Sequence, residues 1–300
     1  MFDIVIIGAG PAGLTAAVYA RRADKTVLVI EKETFGGQIT HSPKVENFPG
    51  TISASGNELG EKMVEQALNL GAEIEMDTIL SIEKTGDAFT VKGESAEYDA
   101  KTVIIAAGSK HRQLGLPEEN GFIGRGVSYC AVCDGAFHAG QKVCVIGGGN
   151  TALQDAVMLS DICTDVVLVQ NLDYFTGEKK LLEILESKDN VSFITGSVVK
   201  KLEGDKDLER IIIENTSGEQ TAIETDGIFV AIGQQPENEI FKNVVSLNQY
   251  GYINSDENCL TGTNGVFVAG DCRSKYIRQV ATAVADGAVA ALAACRYLDN

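Results

Sequence analysis

The sequence lacks several features that would narrow its class. Basic residues are few: 25 Lys and Arg stand against 42 Asp and Glu, and the net charge of -17 argues against a broad nucleic-acid-binding surface. We expect no membrane span, because Asp286 interrupts the Ala-rich C-terminal segment before it reaches about 20 apolar residues. No basic, cleavable leader precedes the first strand-like run, which predicts a cytoplasmic location.

The sequence also lacks the even number of cysteines that a complete disulfide framework requires. The seven cysteines are scattered through 300 residues, which is atypical of a small secreted domain. One pair stands out, because Cys130 and Cys133 have the C-x-x-C spacing of a readily exchanged disulfide. Half of a zinc site is the alternative, yet no second pair has metal-ligand spacing and the three histidines form no ligand set with this one. We therefore expect a redox dithiol and no metal.

The composition, 44% apolar with 32 glycines, is enough for two domains, and the N-terminus begins one of them. DIVIIGAGPAG is a buried-strand run followed by G-x-G-x-x-G, a helix-like segment and a second strand. Gly8 allows a tight turn, Gly10 lets a pyrophosphate approach, and Gly13 allows close packing of helix on strand. Glu31, 23 positions after Gly8, is suited to accept from a ribose hydroxyl.

The same pattern recurs at 143–170, where Gly147 and Gly149 form the turn and Gln170 lies 23 positions after Gly147. Two such units predict an α/β fold with two Rossmann-like, doubly wound dinucleotide-binding domains. A third glycine-ended strand at 265–272 has no counterpart in the second unit. We therefore expect the second domain to be inserted in the first.

The predicted domains are 1–113 with 245–300, and 114–244 between them. The two crossings are expected in GLPEENG at 115–121 and GQQPENE at 233–239, which are rich in Gly, Pro and Asn. Two parallel linkers would form a hinge.

Together these motifs resemble the low-molecular-weight thioredoxin reductases, FAD-dependent enzymes that pass electrons from a nicotinamide to a disulfide protein. The resemblance runs in order through IIGAGPAG, FGGQIT, GRGVSYCAVCDG, VIGGGNTA, VAIGQQPE, VFVAGDC and RQVATAVADGAVAA. It implies FAD bound in the first domain and a thioredoxin or thioredoxin-like protein as partner, in a homodimer. The implied FAD contacts are Gly8, Gly10, Gly13, Glu31, Gly37, Gln38, Asn47, Asp271, Arg278, Gln279 and Val280.

The resemblance also implies roles in the dithiol. Cys133 would face the flavin, Cys130 would attack the thioredoxin disulfide, and Asp134 would act as their acid and base. A cysteine with a pKa of about 8.5 is mostly protonated at neutral pH, so a neighbouring group that accepts and returns a proton assists exchange.

One segment departs from the family. NADPH-dependent members carry His-Arg-Arg-x-x-x-Arg after the second strand of the nicotinamide domain, and here Gln170, Asn171, Leu172 and Thr176 replace those four residues. Three donors stay open: NADH or an unspecified NAD(P)H at Gly147, Gly149 and Gln170, NADPH through Lys179 or Lys180, and a ferredoxin, as in one branch of the family. We rank the first donor highest and ferredoxin second.

A hypothesis of another class is a flavin-binding redox sensor without turnover. The intact C-x-x-C followed by Asp134 argues against it.

Overall fold

The computed structural model describes residues 1–42 and 44–300. The chain divides into two compact units, one formed by Met1–Lys110 with Gln235–Asn300 and the other by His111–Gln234. The second unit is therefore an insertion in the first.

The elements of the first 110 residues are β1 (Phe2–Ile7), α1 (Pro11–Arg22), β2 (Val27–Glu31), α2 (Gly56–Asn69), β3 (Glu73–Met76), β4 (Ile79–Thr85), β5 (Ala88–Gly93) and β6 (Glu97–Ile105). They are followed by β7 (Lys110–His111), α3 (Glu119–Phe122), β8 (Val127–Ser128), α4 (Ala131–Asp134), β9 (Lys142–Ile146), α5 (Asn150–Ser160), β10 (Asp165–Val169), α6 (Lys179–Glu186), β11 (Val191–Ile194), β12 (Ser197–Glu203), β13 (Arg210–Asn215), β14 (Gln220–Glu224), β15 (Gly227–Val230), β16 (Gln234–Gln235), β17 (Val266–Val268) and α7 (Val280–Asp299). Residues 1–42 and 44–300 also contain four short 3-10 turns, at Gly37–His41, Gly135–His138, Glu239–Phe241 and Gly270–Cys272.

A seven-stranded sheet organises the first unit, in the order β3-β2-β1-β6-β5-β4 with β17 also on β6. The pairs among β3, β2, β1, β6 and β17 are parallel, whereas β4 and β5 are antiparallel additions. The central strands are buried on both faces, as expected for parallel strands with layers on either side. Alanine-rich α1 and α7 pack on one face, and β4, β5 and the 241–253 segment cover the other.

The second unit repeats this plan. Its five-stranded parallel sheet has the order β11-β10-β9-β15-β8, and an antiparallel sheet of β12, β13 and β14 lies beside it. Helices α5 and α6 pack on one face of the parallel sheet, and the antiparallel sheet packs on the other. The expected second strand-turn-helix-strand unit is thus β9, α5 and β10.

The boundaries differ from those expected, because the units divide at 110 and 234 instead of 113 and 244. The first difference follows from His111, whose ring stacks on that of Tyr129 in the second unit with 5.4 Å between the ring centroids. The buried carboxylate of Glu119 accepts from the backbone N–H groups of Leu114 and Gly115 at 2.9 Å, so these two residues also belong to the second unit. The crossing therefore precedes GLPEENG. The second boundary moves because Phe241 and Val244 are buried in the core of the first unit.

Helix α7 corrects the expectation about membrane spans. It is long and apolar enough to cross a membrane, with a mean hydropathy of 1.3. One face of the helix, with Ala283, Ala290, Ala291 and Ala294, is however buried against α1. A Cβ on Gly287 would lie 2.2 Å from the carbonyl oxygen of Ala12. Asp286 is buried in an ion pair with Arg273. In this fold one face of α7 packs in the core of the first unit, and 39% of its apolar stretch is buried.

Candidate functional site

The first glycine turn joins β1 to α1. Gly8 has φ +107°, and a Cβ on Gly13 would lie 1.9 Å from the Gly8 carbonyl oxygen. Gly10 precedes the helix with no side chain capping its N-terminus, so the first backbone N–H groups of α1 are available to an anion. At the end of β2 the Glu31 carboxylate accepts from Ala9 N at 2.8 Å. The turn has the form of a pyrophosphate cradle with an acid beside it.

Several of the other predicted flavin contacts lie around this turn. A Cβ on Gly37 would come within 2.9 Å of the Gly10 Cα, and Gln38 continues that 3-10 turn. Two more of the predicted flavin contacts lie at the start of α7: Gln279 is its N-cap and Val280 is its first residue. Asn47 donates to the Gln279 side-chain oxygen at 3.2 Å.

Asp271 connects the glycine turn to α7. It lies in the 3-10 turn that follows β17, where a Cβ on Gly270 would be 2.8 Å from the Cβ of Ala12. The Arg278 guanidinium stacks 4.0 Å from the ring centroid of Tyr252 and donates to the Asp271 carbonyl oxygen at 3.4 Å. The chain fold therefore gathers segments separated by more than 200 residues in sequence at one end of α1.

The buried atoms of this site fit a hydroxyl-bearing dinucleotide such as FAD. Oδ1 of Asp271 is buried and has no hydrogen-bond partner among residues 1–42 and 44–300. Burial raises the pKa of this carboxyl to about 6. A buried carboxylate oxygen without a donor is costly unless a ligand supplies one, and a ribityl or ribose hydroxyl can do so.

The dithiol centre lies in the second unit. Cys130 and Cys133 are joined by a disulfide at the start of the one-turn helix α4. The backbone N–H groups of Cys133 and Asp134 donate to the Cys130 carbonyl oxygen at 3.1 and 3.0 Å. Val132, between the cysteines, is 58% exposed, so this turn presents an apolar side chain to the surface of its unit.

Asp134 is half-buried directly after Cys133. Ser128 donates to its Oδ2 at 2.6 Å, while Oδ1 is buried without a partner in the described chain. Burial raises the pKa of Asp134, and the Ser128 hydrogen bond and the nearby His138 oppose that rise. A raised pKa favours the protonated carboxyl, the form that can give a proton to a neighbouring thiolate. His138 itself bonds Gln141 and packs edge-on against Phe229, as a structural histidine does.

The second glycine turn has the same backbone form as the first. Gly147 has φ +135°, and α5 begins after Gly149 without a side-chain cap. Gln170 accepts from the backbone nitrogen of the next residue, Asn171, at 3.1 Å, as its counterpart Glu31 accepts from Lys32 N at 3.0 Å. The difference is that the Gln170 amide also donates to the Tyr174 carbonyl at 3.2 Å. One donor and one acceptor position of this buried amide are thus engaged by its own loop.

Sequence reasoning missed two groups. Ser128, two residues before Cys130, has no sequence signal, because it lies outside the C-x-x-C-D motif. Asp286 was considered only as an interruption of an apolar run. In the structure its carboxylate accepts from Arg273, Lys275 and the backbone N–H of Gly270, so it anchors the turn that carries Asp271.

Known proteins are similar to this one over nearly all of its length. The family model described as pyridine nucleotide-disulphide oxidoreductase matches residues 2–287. A thioredoxin reductase of Peptoclostridium acidaminophilum is 42% identical, over 100% of this chain and 98% of that protein. The crystal structure of thioredoxin reductase from Streptococcus pyogenes MGAS5005 aligns with a TM-score of 0.95 and 40% identity, covering 100% of this chain and 98% of that one.

A ferredoxin-flavin thioredoxin reductase from Clostridium acetobutylicum is also similar. Its crystal structure aligns at 31% identity with a TM-score of 0.54, covering 99% of this chain and 98% of that one.

With two glycine turns and a C-x-x-C disulfide, the chain belongs to the pyridine nucleotide-disulphide oxidoreductases, a family of FAD-dependent enzymes. Within that family it belongs with the low-molecular-weight thioredoxin reductases.

Proposed function

We propose that this protein is a thioredoxin-disulfide reductase in which electrons pass from a donor to FAD, then to Cys130 and Cys133, and then to a thioredoxin-like protein. The observation that carries the proposal is the Cys130–Cys133 disulfide with the half-buried Asp134 beside it. The exposed Val132 adds an apolar contact suited to a folded protein substrate.

The proposed flavin site comprises the eleven residues expected from the sequence. Gly8, Gly10 and Gly13 would admit the pyrophosphate to the N-terminus of α1, Glu31 would accept from the ribose, and Asp271 would accept from a further hydroxyl. Gly37, Gln38, Asn47, Arg278, Gln279 and Val280 would line the remainder. FAD, when bound, accepts two electrons from the donor and passes them to the disulfide.

After the Cys130–Cys133 bond is reduced, two thiol exchange steps reduce the partner disulfide. Reduction of the Cys130–Cys133 bond takes two electrons and gives two thiolates. Cys130 attacks one sulfur of the partner disulfide, whose S–S bond breaks to leave one partner thiolate. Cys133 then attacks the Cys130 sulfur, re-forms the original disulfide and releases the second partner thiolate. Each released thiolate takes up one proton, which Asp134 supplies before it is reprotonated from water.

Substitution of each cysteine tests this assignment. Cys130→Ser and Cys133→Ser should each abolish reduction of a thioredoxin while keeping FAD bound, and only the variant that keeps Cys133 should show long-wavelength thiolate-to-flavin absorbance. Cys163→Ser, which removes a buried free thiol of the same unit, is the control and should retain turnover. Turnover by the Cys130→Ser enzyme would mean that another cysteine attacks the partner. Loss of FAD without loss of turnover would refute the flavin route.

For the electron donor, NADH or an unspecified NAD(P)H at Gly147, Gly149 and Gln170 is our first candidate. The uncapped N-terminus of α5 supports a dinucleotide there. The 171–178 loop holds no Lys or Arg and carries Asp173 and Glu178, which disfavours the 2'-phosphate of NADPH.

Ferredoxin is the second candidate donor. The absence of cations in the 171–178 loop favours it, as does the similarity to the ferredoxin-flavin enzyme. Anaerobic titration of the flavin absorbance with NADH, NADPH and a reduced ferredoxin separates the donors. NADH should bleach the flavin at least as readily as NADPH. Bleaching by ferredoxin alone would overturn the nicotinamide assignment, and reduction by none of the three would favour a redox sensor without turnover.

We further propose a homodimer in the cytoplasm. The dimer rests on family resemblance and is tested by the mass of the flavoprotein in solution. The location is supported by five buried free thiols, Cys144, Cys163, Cys259, Cys272 and Cys295, which persist in a reducing compartment.

A further inference from the structure

Ser128 hydrogen-bonds to both ends of the dithiol turn, which comprises residues 130–134. It ends β8, is buried, and places its hydroxyl 3.1 Å from the backbone nitrogen of Cys130 and 2.6 Å from Oδ2 of Asp134. A serine hydroxyl has one proton to donate and two lone pairs. Oγ accepts from the Cys130 N–H group, which leaves its own proton to be donated. Of the two acceptors within reach, Oδ2 of Asp134 at 2.6 Å is much nearer than the Cys130 carbonyl oxygen at 3.5 Å, so the proton is donated to the carboxylate.

This arrangement makes the two oxygens of Asp134 unequal. Oδ2 has a short hydrogen bond, whereas Oδ1 is buried and has no partner in the described part of the chain. A carboxyl proton placed on Oδ2 would compete with the serine donor, so the proton belongs on Oδ1. The acid therefore has one oxygen for orientation and the other for proton transfer.

We propose that Ser128 is a positioning residue for the dithiol: its hydroxyl holds Asp134 by Oδ2, so that Oδ1 carries the proton to and from the cysteines. The inference rests on the proposed function and adds to it a residue outside the C-x-x-C-D motif. In each transfer Oδ1 gives its proton to a thiolate, the carboxylate is stabilised by the Ser128 donor, and water restores the proton.

A test on the thiols alone keeps the proposal separate from thioredoxin turnover. The flavoprotein is reduced with dithiothreitol, freed of reductant and treated with iodoacetamide over a range of pH, and peptide masses report the alkylation rate of Cys130 and Cys133. The inflection due to Asp134 is the one that disappears in Asp134→Asn. This measurement needs no partner protein and no nicotinamide, so it remains valid even if the protein does not reduce thioredoxin.

Ser128→Ala should shift the Asp134 inflection upward by about one pH unit, because the carboxylate loses a donor that favours its ionised form. Ser128→Thr and Ser128→Val form a matched pair of similar size that differ in the hydroxyl. The Val variant should show the shift and the Thr variant should not. Ser197→Ala removes another buried serine hydroxyl of the same unit, bonded to the Thr195 carbonyl, and should leave the profile unchanged.

Three outcomes would overturn the proposal. The first is a wild-type profile without any inflection that depends on Asp134. The second is a Ser128→Val profile that superposes on that of Ser128→Thr. The third is a change in the pH profile of alkylation that is as large when Ser128→Ala is added to the Asp134→Asn protein as when it is added to the wild type, since the effect must act through that carboxyl.

Discussion

Asp271 provides a test of the flavin site in which stability and binding must change in opposite directions. Burial raises its pKa to about 6 from the ordinary 3.8, against the opposing effect of Lys275 and Arg278. A carboxyl whose pKa rises on folding binds its proton more tightly in the native state. Its contribution to stability is therefore complete below about pH 4 and is lost as the pH rises through about 6. The shift of about two units corresponds to about 3 kcal/mol above that range.

Asn has the shape of Asp without the charge. Flavin-free Asp271→Asn should therefore be more stable than the wild type by up to about 3 kcal/mol at about pH 7.5, and by little at about pH 4. The same variant should bind FAD about 10-fold more weakly or worse, because a hydrogen bond to a charged acceptor is lost. Urea unfolding of the flavin-free protein at both pH values measures the first effect, and quenching of flavin fluorescence measures the second.

Asp256→Asn is the matched control in the same unit. The pKa of Asp256 is lowered by hydrogen bonds from the Asn258 side chain and the Leu260 backbone, so this variant should gain no stability at neutral pH. An Asp271→Asn gain of equal size at both pH values would show that the ionised carboxyl is not its cause. Unchanged affinity for FAD would show that Asp271 does not face the cofactor.

The two glycine turns give the remaining predictions. Gly13→Val should yield protein without bound flavin, measured by absorbance, because a Cβ there overlaps the Gly8 carbonyl oxygen at 1.9 Å; full flavin content would refute the placement of the pyrophosphate. The triple change Asn171→Arg, Leu172→Arg and Thr176→Arg should tighten NADPH binding by about 10-fold or more relative to NADH, since even one new charge-assisted hydrogen bond is worth about 1.5 kcal/mol. Equal tightening for both nucleotides, in parallel titrations, would mean that the arginines do not meet the 2'-phosphate.

The elements around both glycine turns could be predicted from the sequence because their signals are local. Buried strands, positive-φ glycines and helices recur in fixed order, and the strands end at Glu31 and just before Gln170 as the spacing predicts. The C-x-x-C pair is likewise local, and its disulfide is present.

The features that could not be predicted depend on tertiary contacts. The exact boundaries follow from the stacking of His111 on Tyr129 and from the burial of Phe241, and neither contact has a periodic signature in the sequence. The core position of α7 depends on its packing against α1, which hydropathy does not report. The engagement of Gln170 with Asn171 and Tyr174 requires knowing how the loop turns back.

The hydrogen bonds described above around the dithiol join residues of the 128–134 segment to one another. The redox centre is therefore held by one short segment of the chain. Ser128, Cys130, Cys133 and Asp134 reach one another without help from the distant 170–178 segment. Under the proposed function, substitutions in that segment change the electron donor and leave the thiol chemistry unaltered. Under that proposal, the choice of electron donor and the thiol exchange with the partner depend on different segments of the same unit, so each can change without the other.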